Sequence, residues 1–455
     1  MQRSLTRRAT VLLVVAGLGL SACGSESTDK PAASGGGKVT ITITGQPPKT
    51  EAVERKLFDQ DVAEFESTHP DIDIEPHEGF MDPKTFQAKL AGGQLEDVYY
   101  VYFTDPANII ARRQAADITD QVKDFAVVNQ LQPALLDIFK DKGGKLYGLP
   151  TANYSMGLLY NRALFTKAGL DPDKPPTTWD EVREDAKKIA GLGNGTVGFA
   201  DLSKNNQGGW HLTTWAYAMG SQIAKQDGDK WKADFNNDKV RSALQLLKDM
   251  RWTDNTMGAK QLLEATDVQR MMGAGQLGMY LSAPDNVPVL VKQFNGKYED
   301  YGVAAMPGGQ GTLLGGEGYM INPKADAAKI KAGLTWITWK YLNPDRFETN
   351  IKRYVAEKQP IGLPAIPTPD VYTGETRAKQ ASLKTQYANV PEKNFASYLD
   401  GNTKLKGNLE PPNAQQIYAV LDGVMQAVLT NKDANIDQLL TDAEGKVNSA
   451  LAQVK

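Results

Sequence analysis

Three short alternating runs near one end of the chain, separated by stretches of helical period, restrict the fold more than any other feature. Lys38–Thr44 reads KVTITIT, with Val39, Ile41 and Ile43 on one side and threonines on the other. That is the two-residue period of a strand. Thr50–Thr68 places Val53, Leu57, Val62 and Phe65 at helical spacing. Asp71–Pro76 (DIDIEP) alternates again, Phe86 and Leu90 mark a second helix closed by Gly92-Gly93, and Asp97–Phe103 (DVYYVYF) is a strand with a heavy aromatic load. Strand–helix–strand–helix–strand predicts an α/β lobe with a mainly parallel sheet.

The later sequence is of the same class. Thr178-Trp179-Asp180-Glu181 is a capping box, in which the Thr hydroxyl and the Glu carboxylate pair with each other's backbone N–H. Val182, Ala186 and Ile189 extend its apolar face, and Val240, Leu244, Leu247 and Met250 predict a further amphipathic helix. Gln276–Leu281 and Tyr301–Met306 read as strands. Ile330, Leu334, Ile337 and Tyr341 form a helix ahead of Pro344, and Ile417 to Leu429 repeats at three and four. At 455 residues, the chain exceeds one ordinary core and predicts two domains.

The N-terminus carries Arg3, Arg7 and Arg8, then an apolar run from Val11 to Leu20, then Leu20-Ser21-Ala22-Cys23. Positive, apolar and small-residue regions in that order make a signal peptide over 1–22. The apolar run is about half of the roughly 20 residues a spanning helix needs. Leu-Ser-Ala-Cys resembles a bacterial lipobox, which implies cleavage before Cys23 and a diacylglycerol thioether on it. Cys23 is the one cysteine, so no disulfide forms within the chain. The Gly- and Ser-rich stretch 23–37 is expected to be a flexible tether. Arg7-Arg8 leaves the export route open between Sec and twin-arginine. Removing 1–22 takes three positive charges from a net −3, giving −6, and an acidic body argues against nucleic acid as a partner.

Specific resemblance begins in the middle of the chain. KLYGLP (145–150), LLYNRALFTKAGLD (158–171) and PPTTWDEV (175–182) occur in that order and resemble the family 1 extracellular solute-binding proteins of ABC importers, the maltose-binding-like group. GGQLEDVYYVYF, MMGAGQLGMYLSAPDN (271–286) and PGGQGTLLGGEGYMINP resemble further family segments, although Glu96 stands where proline is common. The resemblance covers roughly 38–430. It implies an α/β clamp of two lobes, with ligand held between them. Lobe 1 would hold 38–150 plus 309–360, lobe 2 would hold 154–306 plus 365–455, and hinge crossings would lie near 151–153, 306–308 and 361–364. Pro150, Pro307, Gly308, Pro360, Gly362 and Pro364 suit bends there. The partners implied are a sugar or oligosaccharide, separate permease and ATPase subunits, and the membrane through the lipid. A monomer on the extracellular face of the cell membrane is expected, with no cofactor and no metal.

A pyranose needs flat apolar platforms and a paired partner for each buried hydroxyl, since one left unpaired costs about 1–3 kcal/mol. In open α/β sheets ligands sit beyond the carboxyl ends of strands. Gln46, Glu78 and Asp105 stand at such ends. Asp105 can accept from two sugar hydroxyls or cap the helix beginning at Pro106; Gln46 and Glu78 can bind or lie in solvated loops. Among the seven tryptophans, Trp210 opens an apolar helix and is the platform candidate ahead of Trp215 and Trp252, with Tyr154 just past the first crossing. Asp285 and Asn286 lie at a strand end, in a binding loop or a plain turn. Glu317 and Tyr319 follow a glycine pair that allows close backbone approach to a ligand. Arg353 can meet a ligand or form a surface salt bridge.

Enzymatic chemistry has no motif behind it. Two carboxylates could serve a glycosidase, but no nucleophile elbow is present. GAGQLG lacks the Gly-Lys-Ser/Thr of a phosphate loop. His69, His77 and His211 lie outside metal-ligand spacing and are expected at the surface or as caps. The readings are therefore a carbohydrate binder, a glycerophosphodiester or other small-solute binder of the same clamp type, and a surface glycosidase.

Overall fold

The computed structural model describes residues 37–81, 83–228, 230–363, 370–402 and 404–454. The signal peptide, Cys23, the tether up to residue 36 and Pro364 lie outside them. The strands are β1 (Val39–Gln46), β2 (Ile72–Glu78), β3 (Val98–Tyr102), β4 (Gly148–Ser155), β5 (Gly157–Asn161) and β6 (Val197–Phe199). They continue as β7 (Ala224–Asp227), β8 (Lys230–Ala233), β9 (Leu277–Ser282), β10 (Tyr301–Ala304), β11 (Thr312–Ile321) and β12 (Gly407–Leu409).

The first sheet runs β12-β11-β3-β1-β2, with β4 also paired to β11. β1 is parallel to β2 and β3, as the alternating runs predict, and β11 returns antiparallel against β3 and β4. Ile41 and Ile43 face the core at 0% exposure. The threonines between them are bonded, not free in water. Thr42 donates to Asp97 through N and Oγ1 at 3.0 and 3.1 Å, and Thr44 Oγ1 accepts from Tyr100 N at 2.8 Å. Helices Ala52–Thr68 and Ala327–Tyr341 cover this sheet, packing Phe58, Phe65, Trp336 and Ile337 onto Ile41, Val98 and Met320.

The second sheet runs β10-β5-β9-β6. Its core joins Leu158, Met279 and Leu281 to helix Gln207–Ala218 and to the C-terminal helices Ala414–Thr430 and Ile436–Leu451. The capping box at Thr178 and Glu181 is present and starts helix Trp179–Ala190, whose Val182, Ala186 and Ile189 are buried. β7 and β8 form a two-stranded ribbon.

Chain crossings between the two cores are longer than single bends. Within β11, Leu313 belongs to the second core while Leu314 packs on the first. This passage lies beyond the expected 306–308, in a strand held against β4 from Leu314–Ser155 to Met320–Gly148. Segment 370–389 corrects the lobe assignment. Leu363 touches the second-lobe cluster, but Val371 and Tyr372 return to the first core. Gln132 donates to Asp370 O at 2.8 Å and Tyr387 to Glu348 at 2.7 Å. The chain rejoins the second lobe over 390–395, where Val390 and Phe395 pack on its cluster and Asn394 donates to Tyr301 O at 3.0 Å. Helix Gly374–Gln386 buries Gln380 alone, so no apolar stripe in its sequence says which core it joins.

Candidate functional site

Asp105 follows β3 and takes the N-cap position of helix Pro106–Ala111, yet its side chain makes no capping bond. The capping alternative is therefore not what the carboxylate does. Thr104 Oγ1 donates to it at 3.2 Å, and burial pushes its carboxyl up to about 6. Asp285, after β9, repeats the arrangement at helix Asn286–Phe294, again with no side-chain cap. It is open to the cleft but walled by protein, and that enclosure raises its carboxyl above the ordinary range.

Glu317 lies in β11, opposite Tyr102 on one side and Ala152 on the other. Tyr100 donates its hydroxyl to Glu317. Burial raises Glu317, the Tyr100 bond works against that, and the charge on Asp285 adds to the rise. Tyr154 is where these groups converge. Burial drives its phenol well above the ordinary value, and Glu410, Asp285 and Glu317 push the same way. Its ring occupies the space where a Cβ on Gly315 would stand, and Phe103 fills the space beside Gly316. The glycine pair thus makes room for two aromatic rings, not for a ligand as its sequence suggests.

Glu410, Tyr100, Tyr102 and Phe80 escape sequence reasoning. Glu410 follows β12, accepts from the Tyr418 hydroxyl at 2.6 Å, and is pushed by burial up to about 7. Its signal, one acid before Pro411-Pro412, has meaning only once β12 is known to extend the first sheet. Tyr100 and Tyr102 were visible as an aromatic strand without a role. Phe80 is 50% exposed and Tyr102 36%, and both pack against Tyr100, Phe80 tilted and Tyr102 edge-on, with ring centroids 5.1 and 5.2 Å away. A cavity of about 330 Å³ lies beside them, lined by Phe80, Thr151, Ala152, Glu317, Tyr319 and Tyr354 among others. That is at the lower end of ligand-pocket sizes.

Other candidates go elsewhere. Gln46 donates to Asp59 at 3.0 Å, and Glu78 accepts from Arg55 at 3.1 Å, so both are tied to helix Ala52–Thr68. Tyr319 is a buried cavity wall whose hydroxyl meets Tyr341 at 2.9 Å beneath Gly45, itself at φ +101. Arg353 is not free for a ligand: it binds Asp61 and donates to Leu57 O at 3.0 Å. Asn286 accepts from Gln269 at 2.7 Å. Trp210 is half-buried at the start of helix Gln207–Ala218, between two second-lobe clusters. Trp215 is fully buried and donates to Asp201 at 2.6 Å, while Trp252 donates to Val428 O at 3.0 Å. His211 corrects the surface expectation: it is 1% exposed and bonded to Asp201 at 2.5 Å.

The lobes also touch across the cleft. Lys292 of helix Asn286–Phe294 reaches Glu54 of helix Ala52–Thr68 at 2.5 Å, and Asn108 donates to Asn413 at 2.7 Å. At the hinge, Asn402 donates to Met156 O at 2.8 Å and accepts from Met306 N at 2.9 Å, which ties two crossings together.

Two α/β lobes on a multi-strand hinge, with polar and aromatic groups facing each other between them, define a solute-binding clamp. Residues 50–343 match the bacterial extracellular solute-binding protein family, and the chain belongs to it. A protein of Brucella abortus (strain 2308) is 27% identical over 346 residues, 73% of each chain. Among solved structures, an ABC substrate-binding protein from Listeria monocytogenes in complex with cycloalternan aligns with TM-score 0.71 at 19% identity, covering 91% of this chain and 99% of that one. UgpB from Mycobacterium tuberculosis in complex with glycerophosphocholine aligns with TM-score 0.69 at 16% identity, covering 92% and 99%. Among the described residues, no helix is long and apolar enough to cross a membrane.

Proposed function

We propose that the protein captures a sugar or oligosaccharide between its lobes and hands it to the permease of an ABC importer, with no chemistry of its own. The observation that carries this reading is a set of acidic groups, Asp285, Glu317 and Glu410 acting on Tyr154 and Asp105 acting on Glu410, beside the exposed faces of Phe80 and Tyr102. Carboxylates accept from sugar hydroxyls, and aromatic faces cover the apolar C–H faces of a pyranose. Trp210 is the platform proposed on the second lobe. Solved relatives that hold cycloalternan and tagatose share the fold.

A glycerophosphodiester is the competing ligand, supported by likeness to UgpB proteins. A phosphate calls for Arg, Lys or free helix N-termini. Among the described residues no lysine or arginine acts on any of the four carboxylates, and that charge balance favours the sugar. A thermal-shift screen of mono- and oligosaccharides against glycerophosphodiesters decides between them, because binding to the folded state raises the melting temperature with ligand excess. A shift with phosphodiesters and none with any sugar removes the carbohydrate reading.

The lipid on Cys23 and the tether would hold the monomeric body at the outer face of the plasma membrane. This raises its effective concentration near the importer. Metabolic labelling with a palmitate analogue tests it: the label is expected in the wild type and lost in Cys23→Ser.

A further inference from the structure

Among the described residues, none of the cleft carboxylates Asp105, Asp285, Glu317 and Glu410 forms an ion pair: Lys340 and Arg353, which line the same cavity as Glu317, are held by Asp61, and Lys292 is held by Glu54. Elsewhere several enclosed acids are paired with cations, although Asp422 is held by backbone N–H groups alone. Asp61 is held by Lys340, Arg346 and Arg353, Asp97 by Lys329, and Asp254 by Arg183. Around Tyr154 the pattern is reversed. Tyr100, Tyr418 and Thr104 each donate one hydrogen bond to Glu317, Glu410 and Asp105, and no described lysine or arginine pairs with these three. Asp285 and Asp105 stand at helix starts without capping them, so neither carboxylate is committed to a helix end.

Hydroxyl donors from a neutral sugar would fill lone pairs on these oxygens but leave the net charge in place. Like charges gathered in an enclosed site disfavour one another. A protonated amine supplies both donors and the missing charge, and charge-assisted hydrogen bonds are roughly twice as strong as neutral ones. The exposed faces of Phe80 and Tyr102 also attract cations. We propose that the solute is an amine-bearing sugar, a mono- or oligosaccharide with at least one protonated amino group, bound with its ammonium among Asp105, Asp285, Glu317 and Glu410. This rests on the carbohydrate reading above and narrows it.

The test is calorimetric titration of the whole folded body with matched sets: glucosamine and galactosamine mono- to tetrasaccharides, their N-acetylated forms, and the corresponding neutral hexose oligosaccharides. Glycerophosphocholine is included as the phosphodiester. The free-amine member is expected to bind at least about tenfold more tightly than its acetylated and neutral counterparts, with an advantage that shrinks as salt rises. In Asp285→Asn and Glu317→Gln that advantage is expected to fall, while a neutral sugar loses less. Equal or tighter binding of the neutral or acetylated member overturns the amine assignment and leaves sugar capture standing. Absence of binding by every free-amine sugar also overturns it. Binding of glycerophosphocholine alone overturns both.

Discussion

Glu410→Gln removes one negative charge from the cleft and keeps an oxygen that can accept from Tyr418, 2.6 Å away in the wild type. Burial moves the Glu410 carboxyl from its usual 4.5 to about 7. A tenfold change in acidity is about 1.4 kcal/mol, so keeping this carboxylate ionised in the folded cleft costs roughly 3 kcal/mol against the unfolded chain. The folded value lies above the unfolded one, so the folded protein holds the proton more tightly. The penalty is absent well below pH 4.5, grows as pH rises from 4.5 to about 7, and is complete above that. The expected gain of the Gln variant over the wild type is about 1 kcal/mol near pH 5 and about 3 kcal/mol near pH 8. Urea unfolding of the ligand-free protein, followed by circular dichroism at both pH values, measures it. A gain that does not change with pH, or a variant less stable than the wild type near pH 8, refutes the reasoning.

Three further outcomes are expected. Gly315→Ala places a methyl inside the Tyr154 ring, which should cost about 1–3 kcal/mol of stability in thermal unfolding and weaken ligand affinity; an unchanged melting temperature contradicts the packing. Asp61→Ala leaves Lys340, Arg346 and Arg353 without their shared partner, and chemical denaturation should show a loss of about 3–5 kcal/mol, against little change for a surface acid such as Asp120. Lys292→Ala breaks the Glu54 contact across the cleft. Being half-exposed it should change stability by less than about 1 kcal/mol, while small-angle scattering of the ligand-free protein shifts towards a wider separation of the lobes; identical scattering curves exclude the pair as a clasp.

Regular elements were legible because each wrote its period into a short stretch. KVTITIT became β1, DVYYVYF became β3, and Thr178 with Glu181 started the helix they cap. Placement of segment 370–389 was not legible, since helix Gly374–Gln386 is mostly exposed and the segment joins the first lobe through the two apolar residues Val371 and Tyr372 ahead of it, through Leu383, and through bonds of Asp370, Thr376 and Tyr387. The positions of Asp105 and Asp285 just past β3 and β9 were legible, because a strand's carboxyl end is a property of local sequence. Arg353 and Gln46 could not be sorted the same way: their partners, Asp61 and Asp59, sit on a helix whose angle to the sheet only the packed fold sets. Glu410 was hidden for the longest-range reason. It reaches Tyr154 through the pairing of β12 with β11, strands about a hundred residues apart.

A crystal structure of the protein with a sugar selected by the titration tests the central claim most directly. The account predicts ligand density between the lobes, with donors within hydrogen-bond distance of at least two of Asp105, Asp285, Glu317 and Glu410 and a ring face against Phe80, Tyr102 or Trp210. Density outside the cleft, for instance in the depression bounded by Phe125, Trp339 and Lys379, with the four carboxylates untouched, would contradict it.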